Sequence, residues 1–124
     1  MKVQSMGLRM KAAIVIGSTV LALTIPSLAA SYSCVSPVTN VSQARGGTLL
    51  IQSFGGSNWI YLCSMSSTQN GVSADECKTV FAALLAAQLA GKQVRLWFND
   101  GLSCSTQAAW TYATGWYFGP DVLD

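Results

Sequence analysis

The sequence predicts a single α+β domain, mainly β, behind an N-terminal export signal. Three observations carry this expectation. One segment has both ends of a helix written into it. Runs of β-forming residues lie on either side of that helix, punctuated by turn residues. Four cysteines all lie beyond an apolar leader.

The leader comes first. Lys2, Arg9 and Lys11 precede an apolar stretch over residues 12–25, about fourteen residues where a bilayer-spanning helix needs roughly twenty. Pro26 then breaks the stretch, and Ser27, Leu28, Ala29 and Ala30 follow. A basic opening, a short apolar middle and a small-residue exit is the pattern of a cleaved signal peptide. Cleavage is expected after Ala29 or Ala30, so residues 1–30 are the signal and residues 31–124 the working domain, secreted or periplasmic. That domain keeps Arg45, Lys78, Lys92 and Arg95 against Asp75, Glu76, Asp100, Asp121 and Asp124, a net charge of −1. It has no basic patch of the kind nucleic-acid binding requires. So thin a coat of charge on a small domain points either to a subunit or partner covering some apolar surface or to serine, threonine, asparagine and glutamine supplying the polar coat.

Residues 31–46 read as an irregular entry segment containing Pro37 and ending in Gly46 and Gly47. A first strand is expected over residues 48–54. The turn formers Gly55, Gly56, Ser57 and Asn58 lead into an aromatic second strand over residues 59–65, making an antiparallel hairpin. A polar loop with the turn pair Asn70-Gly71 follows.

The helix is the clearest local feature. Ser73 and Glu76 form an S-x-x-E capping box, which satisfies backbone N–H groups at a helix start. Gly91 supplies a left-handed C-cap with Lys92 near the negative end of the dipole, so the helix spans residues 74–90. Cys77, Val80, Phe81, Leu84 and Gln88 recur at three- and four-residue steps, and Leu85 and Leu89 widen the apolar stripe. Ala82, Ala83, Ala86 and Ala87 fall away from the main stripe. Alanine there suits close approach to another backbone, and equally suits helix formation alone. Beyond the helix, Val94, Leu96 and Phe98 alternate with Arg95 and Trp97 as a third strand over residues 93–98. Asn99-Asp100-Gly101 is a turn. Residues 102–118, rich in aromatics, predict two short strands around Thr114 and Gly115, and the chain ends in Gly119, Pro120 and a short acidic tail.

The composition argues against catalysis. With no histidine, the usual general base, the usual metal ligand and the Ser-His and Cys-His systems are all missing. Asp75 and Glu76 belong to the helix start, Asp121 and Asp124 to the tail, and Asp100 to its turn. Neither glycine pair is followed by the lysine and helix of a phosphate loop. The domain is therefore read as a non-enzyme without cofactor or metal. Cys34, Cys63, Cys77 and Cys104 predict two disulfides in an oxidising compartment. Four cysteines allow three pairings. The layout favours Cys63 with Cys77, joining the second strand to the first turn of the helix, and Cys34 with Cys104. By chain entropy, closing about fifteen residues contributes roughly 3 kcal/mol and closing about seventy roughly 4–5 kcal/mol.

Binding remains as a role. Trp59, Trp97, Trp110 and Trp116 are many for so short a domain, and exposed indoles beside polar side chains suit sugars, while buried ones serve the core or subunit contacts.

The order of segments resembles the B-subunit family of subtilase cytotoxin and the typhoid-toxin binding subunit. The resemblance covers most of residues 46–121. It rests on Leu49-Leu50-Ile51-Gln52-Ser53-Phe54, on Tyr61-Leu62-Cys63, on the helix running through Ala90-Gly91-Lys92-Gln93 into Val94-Arg95-Leu96-Trp97-Phe98, and on Phe118-Gly119-Pro120-Asp121. It implies an OB-fold-like barrel with one helix, a homopentamer whose helices surround a pore, binding to sialylated or other host glycans, and carriage of a separate catalytic A subunit of an AB5 toxin. The family's sugar site lies at the start of the first strand and uses a serine. Here that stretch is Arg45-Gly46-Gly47-Thr48, so Thr48 or Arg45 would supply the polar contacts. Arg45, Thr48, Asn58 and Trp59 are the expected ligand-binding residues. The alternative expectation is a stand-alone exported structural or inhibitor domain without lectin activity.

Overall fold

A computed structural model describes residues 30–52 and 59–124. Residues 1–29 of the expected signal peptide, the last two residues of the expected first strand and the turn at residues 55–58, Asn58 included, lie outside the described residues. In chain order the elements are β1 (Tyr32–Pro37), β2 (Val41–Gln43), β3 (Thr48–Gln52), β4 (Trp59–Ser64), α1 (Ala74–Leu89), β5 (Gln93–Phe98) and β6 (Trp116–Leu123). The strands form two three-stranded antiparallel sheets, ordered β1-β5-β6 and β2-β3-β4. The sheets are open, so the expected closed barrel is not what the strand pairing describes.

The core follows from strand alternation. Leu49 and Ile51 of β3, Ile60 and Leu62 of β4, and Val94, Leu96 and Phe98 of β5 are buried on the inner faces. Arg95 and Trp97 of β5 face outward and are half-buried. Burying each such aliphatic or aromatic side chain contributes about 1.5–3 kcal/mol relative to leaving it in water. Cys77, Leu84 and Ala87 of α1 complete this core. Both disulfides have the favoured pairing: Cys63–Cys77 ties β4 to the first turn of α1, and Cys34–Cys104 ties β1 to the loop after β5.

The helix ends match their sequence signals. The Ser73 amide donates to Glu76 Oε2 at 2.8 Å and the Glu76 amide to Ser73 Oγ at 3.2 Å, both halves of a capping box. At the other end Ala90 is the C-cap, so the helix stops one residue before the expected end. Gly91 takes φ +66°, and the amides of Gly91 and Lys92 donate to the carbonyls of Gln88 and Ala87, a Schellman motif that requires this left-handed residue. Two residues on the helix depart from expectation. Ala87 lies in the core, while Leu89 is 88% exposed on the last turn, because its position has rotated past the edge of the stripe.

Three segments differ more. Residues 31–46 hold β1 and β2 instead of an irregular entry. In β1 only Cys34 is fully buried and Val35 is exposed, so the run lacks a clear period-two signal. Its full register against β5, from Tyr32 opposite Phe98 to Pro37 opposite Gln93, defines it as a strand. The expected pair of short strands in 102–118 is replaced by turns and one strand, β6, which continues through Gly119 and Pro120 into the supposed tail. Proline is tolerated there because β6 is an edge strand.

Residues 110–113 link the two sheets. They run parallel to β4, with the Trp110 amide donating to the Trp59 carbonyl at 2.7 Å, Tyr61 to Thr111 at 2.9 Å and Ala113 to Tyr61 at 2.9 Å. Asn70 clamps this pairing from its own left-handed turn position (φ +55°), its Nδ2 donating to the carbonyls of Leu62 (2.9 Å) and Ala113 (3.0 Å).

Asn70→Ala removes both donors and places alanine where a left-handed backbone is needed. A loss of about 2–4 kcal/mol is expected, read as a lower urea midpoint with unchanged slope. Asn70→Gly keeps the backbone and is expected to recover part of the loss.

Candidate functional site

The outward face of the β2-β3-β4 sheet carries the site. Core residues Leu49 and Ile51 alternate with Leu50, and Ile60 alternates with Trp59 and Tyr61, so the alternate side chains gather on the other face. There Ser42 and Ala44 from β2 and the residue after it, Leu50 from β3, Trp59 from β4 and Trp110 line a cleft of about 310 Å³. The indole rings of Trp59 and Trp110 are 6.3 Å apart, centroid to centroid, and inclined at 33°. Trp110 is 57% exposed and adopts φ +59°. Left-handed backbone costs a side-chain-bearing residue roughly 1–2 kcal/mol, and the hydrogen bond from its amide to Trp59 helps offset that cost. The other two tryptophans are committed elsewhere. Trp116 is 8% exposed and donates to the Phe118 carbonyl at 3.0 Å. Trp97 donates to Asp121 at 3.3 Å, with the Arg95 guanidinium 5.9 Å above its ring.

Trp110 sits on a loop, residues 99–115, that is held at several points. The Cys34–Cys104 disulfide fastens it to β1. The Tyr32 hydroxyl, on β1, donates to Asp100 Oδ1 at 2.7 Å; Gln107 Nε2 donates to Asp100 Oδ2 at 3.1 Å and to the Tyr32 hydroxyl oxygen. The Leu102 amide donates to Asp100 Oδ1 at 2.9 Å. At the far end of the loop, the Asn99 amide donates to the Gly115 carbonyl at 2.9 Å. Any side chain at Gly115 would meet the Asp100 side chain within 2.4 Å, so this close approach requires glycine.

Burial raises the pKa of the Tyr32 hydroxyl, and its hydrogen bond to Asp100 and the charge of that carboxylate raise it further. For Asp100, burial is the largest single influence and acts upward. The hydrogen bonds from Tyr32, the Leu102 amide and Gln107 together outweigh it and hold the carboxyl below its ordinary value. Asp100 is therefore an ionised anchor for the loop and a poor proton donor or acceptor near neutral pH. Among the described residues no three His, Cys, Asp or Glu side chains gather where they would hold a metal ion.

The expected ligand-binding residues are spread along this sheet. Trp59 lines the cleft. Thr48 shares the outward face of β3 with Leu50 and lies opposite Ser64 of β4; on its other side its carbonyl accepts from the amide of the cleft residue Ala44 at 2.9 Å. Arg45 is exposed in the β2–β3 turn next to Ala44. The hydroxyls near that turn hold it together: Ser66 donates to the Gly46 carbonyl and lies 3.1 Å from Ser64 Oγ. Asn58 is outside the described residues. Sequence reasoning did not place Ser42, Ala44, Leu50 or Trp110 at one site. A lone tryptophan in the polar run Ser103–Thr111 is the available signal for Trp110, and it falls in a segment whose aromatic content predicts strand.

The cleft offers two inclined aromatic faces, an aliphatic floor and a hydroxyl. Such a surface can bind the apolar face of a small polar molecule, and it presents no acid–base pair. In comparisons with protein-family models, curated proteins and solved structures, the chain matches none.

Because the Asp100 pKa is lowered by folding, its contribution to stability is present above the unfolded value near 3.9 and is lost as pH falls through the lower folded value. Asp100→Asn is thus expected to destabilise the protein clearly at about pH 7 and by a smaller margin at about pH 2.5. Urea unfolding of both proteins at the two pH values checks this; an equal penalty at both would show that the charge of Asp100 does not support the fold.

Proposed function

We propose that the chain is an exported, non-catalytic glycan-binding subunit of the AB5-toxin type, engaging sugar at the cleft between Trp59 and Trp110. The observation that carries this reading is the cleft itself: two inclined indoles, one of them 57% exposed on a loop anchored by a disulfide and a carboxylate. An exposed tryptophan held in a left-handed backbone conformation by a hydrogen bond is the kind of local cost found where a side chain is placed for use.

The resemblance to the subtilase cytotoxin B-subunit family supplies the rest of the proposal. In this reading the two sheets are parts of an OB-type barrel, with residues 110–113 spanning from β4 toward β6. Five copies form a ring around a pore lined by α1, and the ring carries a catalytic A subunit. The exposed small side chains Ala82 and Ala86 and the exposed Leu89 on α1 suit a helix that meets its neighbours in such a ring. Two disulfides, with no helix among the described residues long and apolar enough to cross a membrane, are compatible with export.

Trp110→Ala is expected to weaken glycan-array binding at least about tenfold, equivalent to roughly 1.4 kcal/mol, while leaving the unfolding midpoint nearly unchanged because the ring is largely exposed. Light scattering is expected to give five times the protomer mass. A monomer that binds sugar would remove the ring assembly and keep the lectin. A monomer that binds none would favour a stand-alone structural or inhibitor domain.

A further inference from the structure

Resting on the glycan-binding reading above, we infer that the Trp59–Trp110 cleft selects an uncharged, galacto-configured terminal pyranose and stacks it by one face. Charge comes first. None of the cleft-lining side chains, Ser42, Ala44, Leu50, Trp59 and Trp110, is ionisable. Arg45 is the one cation near in sequence, placed in the β2–β3 turn beyond Ala44. Those side chains offer a carboxylate no partner charge, so a carboxylated sugar gains nothing from its charge there, and a neutral ring uses all that the lining supplies.

Geometry narrows the choice among neutral sugars. Stacking a ring between two indoles requires carbon–carbon contacts of about 3.5–4.0 Å on both sides, hence roughly 7–8 Å between parallel planes. The two indoles are 6.3 Å apart and inclined at 33°, too close and too tilted to sandwich a pyranose. The sugar must lie with one face against the aromatic surface. Single-face stacking rewards a pyranose whose C–H groups are collected on one side. In a galacto-configured ring the axial 4-hydroxyl leaves the C3, C4 and C5 hydrogens contiguous on the opposite face. In a gluco-configured ring they alternate between faces, and half are wasted when only one face is covered. A volume of about 310 Å³ is at the small end for ligand clefts, which suits one sugar ring.

Hydrogen-bond donors are available to fix its orientation. Among the described residues, the Ser42 hydroxyl and the indole N–H groups of Trp59 and Trp110 make no hydrogen bond, whereas those of Trp97 and Trp116 do. Leu50, 5% exposed, forms the floor, where a hydroxyl directed inward would lose its water without a partner.

Saturation-transfer NMR on the purified, disulfide-bonded protein tests this with methyl β-D-galactopyranoside, methyl β-D-glucopyranoside and 3′-sialyllactose, backed by a glycan array. The expected result is transfer strongest at H3, H4 and H5 of the galactoside, at least about fivefold weaker binding of the glucoside, and affinity for galactoside that changes little with added salt. Trp110→Ala abolishes the signal, and Trp110→Phe, which keeps a ring at the position, retains part of it. Equal binding of the two methyl glycosides, or galactoside binding that survives Trp110→Ala, overturns the inference. Salt-sensitive preference for 3′-sialyllactose also overturns it while leaving the lectin reading intact. No binding to any of the three probes or to any array glycan removes both.

Discussion

The short parallel pairing of residues 110–113 with β4 is the contact on which the rest of the structure turns. One edge of β4 pairs with β3, and the other would leave its backbone amides and carbonyls without partners. Trp110, Thr111 and Ala113 complete that edge through three hydrogen bonds. Because the chain then passes directly into β6, which pairs with β5, the same few residues bridge one sheet to the other. A stretch this short does not hold itself in place. Asn70 grips it from one side through two carbonyls, and the Tyr32–Asp100–Gln107 cluster with the Cys34–Cys104 disulfide secures the loop that delivers it.

The cleft is a by-product of that pairing. When the Trp110 amide bonds to the Trp59 carbonyl, the two tryptophans become neighbours on adjacent lengths of backbone, and their rings stand over the outward face of β3. The polar groups around the loop have structural work: Asp100 is ionised because three donors surround one carboxylate. No buried side-chain nitrogen or oxygen among the described residues lacks a hydrogen-bond partner, so strain from unsatisfied polar groups does not mark any second site. The aromatic surface is thereby held in place by the hydrogen bonds and the disulfide of its supporting loop.

Much of the fold was legible in the sequence wherever the determinants were local. Ser73 with Glu76 and the glycine at 91 marked the helix because each bond they make spans three to five residues. The alternation of Val94, Leu96 and Phe98 marked β5 because it is buried on one face and covered on the other by polar or amphipathic side chains. Those two elements favoured the Cys63–Cys77 pairing over the other two, since a short loop joins the strand end to the helix start, and the structure has that pairing. The site was only partly legible. Trp59 lines the cleft, and Thr48 and Arg45 flank its Ala44 side, Thr48 by accepting from the Ala44 amide and Arg45 as the next residue of the turn, whereas no local pattern marks the approach of Trp110.

The sequence by itself determined the helix, the central strands, the cysteine framework and the poverty of acid–base groups, because composition and short-range hydrogen bonding leave those few alternatives. Only the tertiary structure decided that residues 32–37 are a strand, that Gly119 and Pro120 lie inside one, and that Trp59 and Trp110 share a cleft. Each of these depends on pairing between segments dozens of residues apart. The side chains involved carry little signal of it: β1 buries one cysteine, and β6 is an edge strand with only Trp116 buried. There the free energy comes from the partner strand, and the partner is not written in the local sequence.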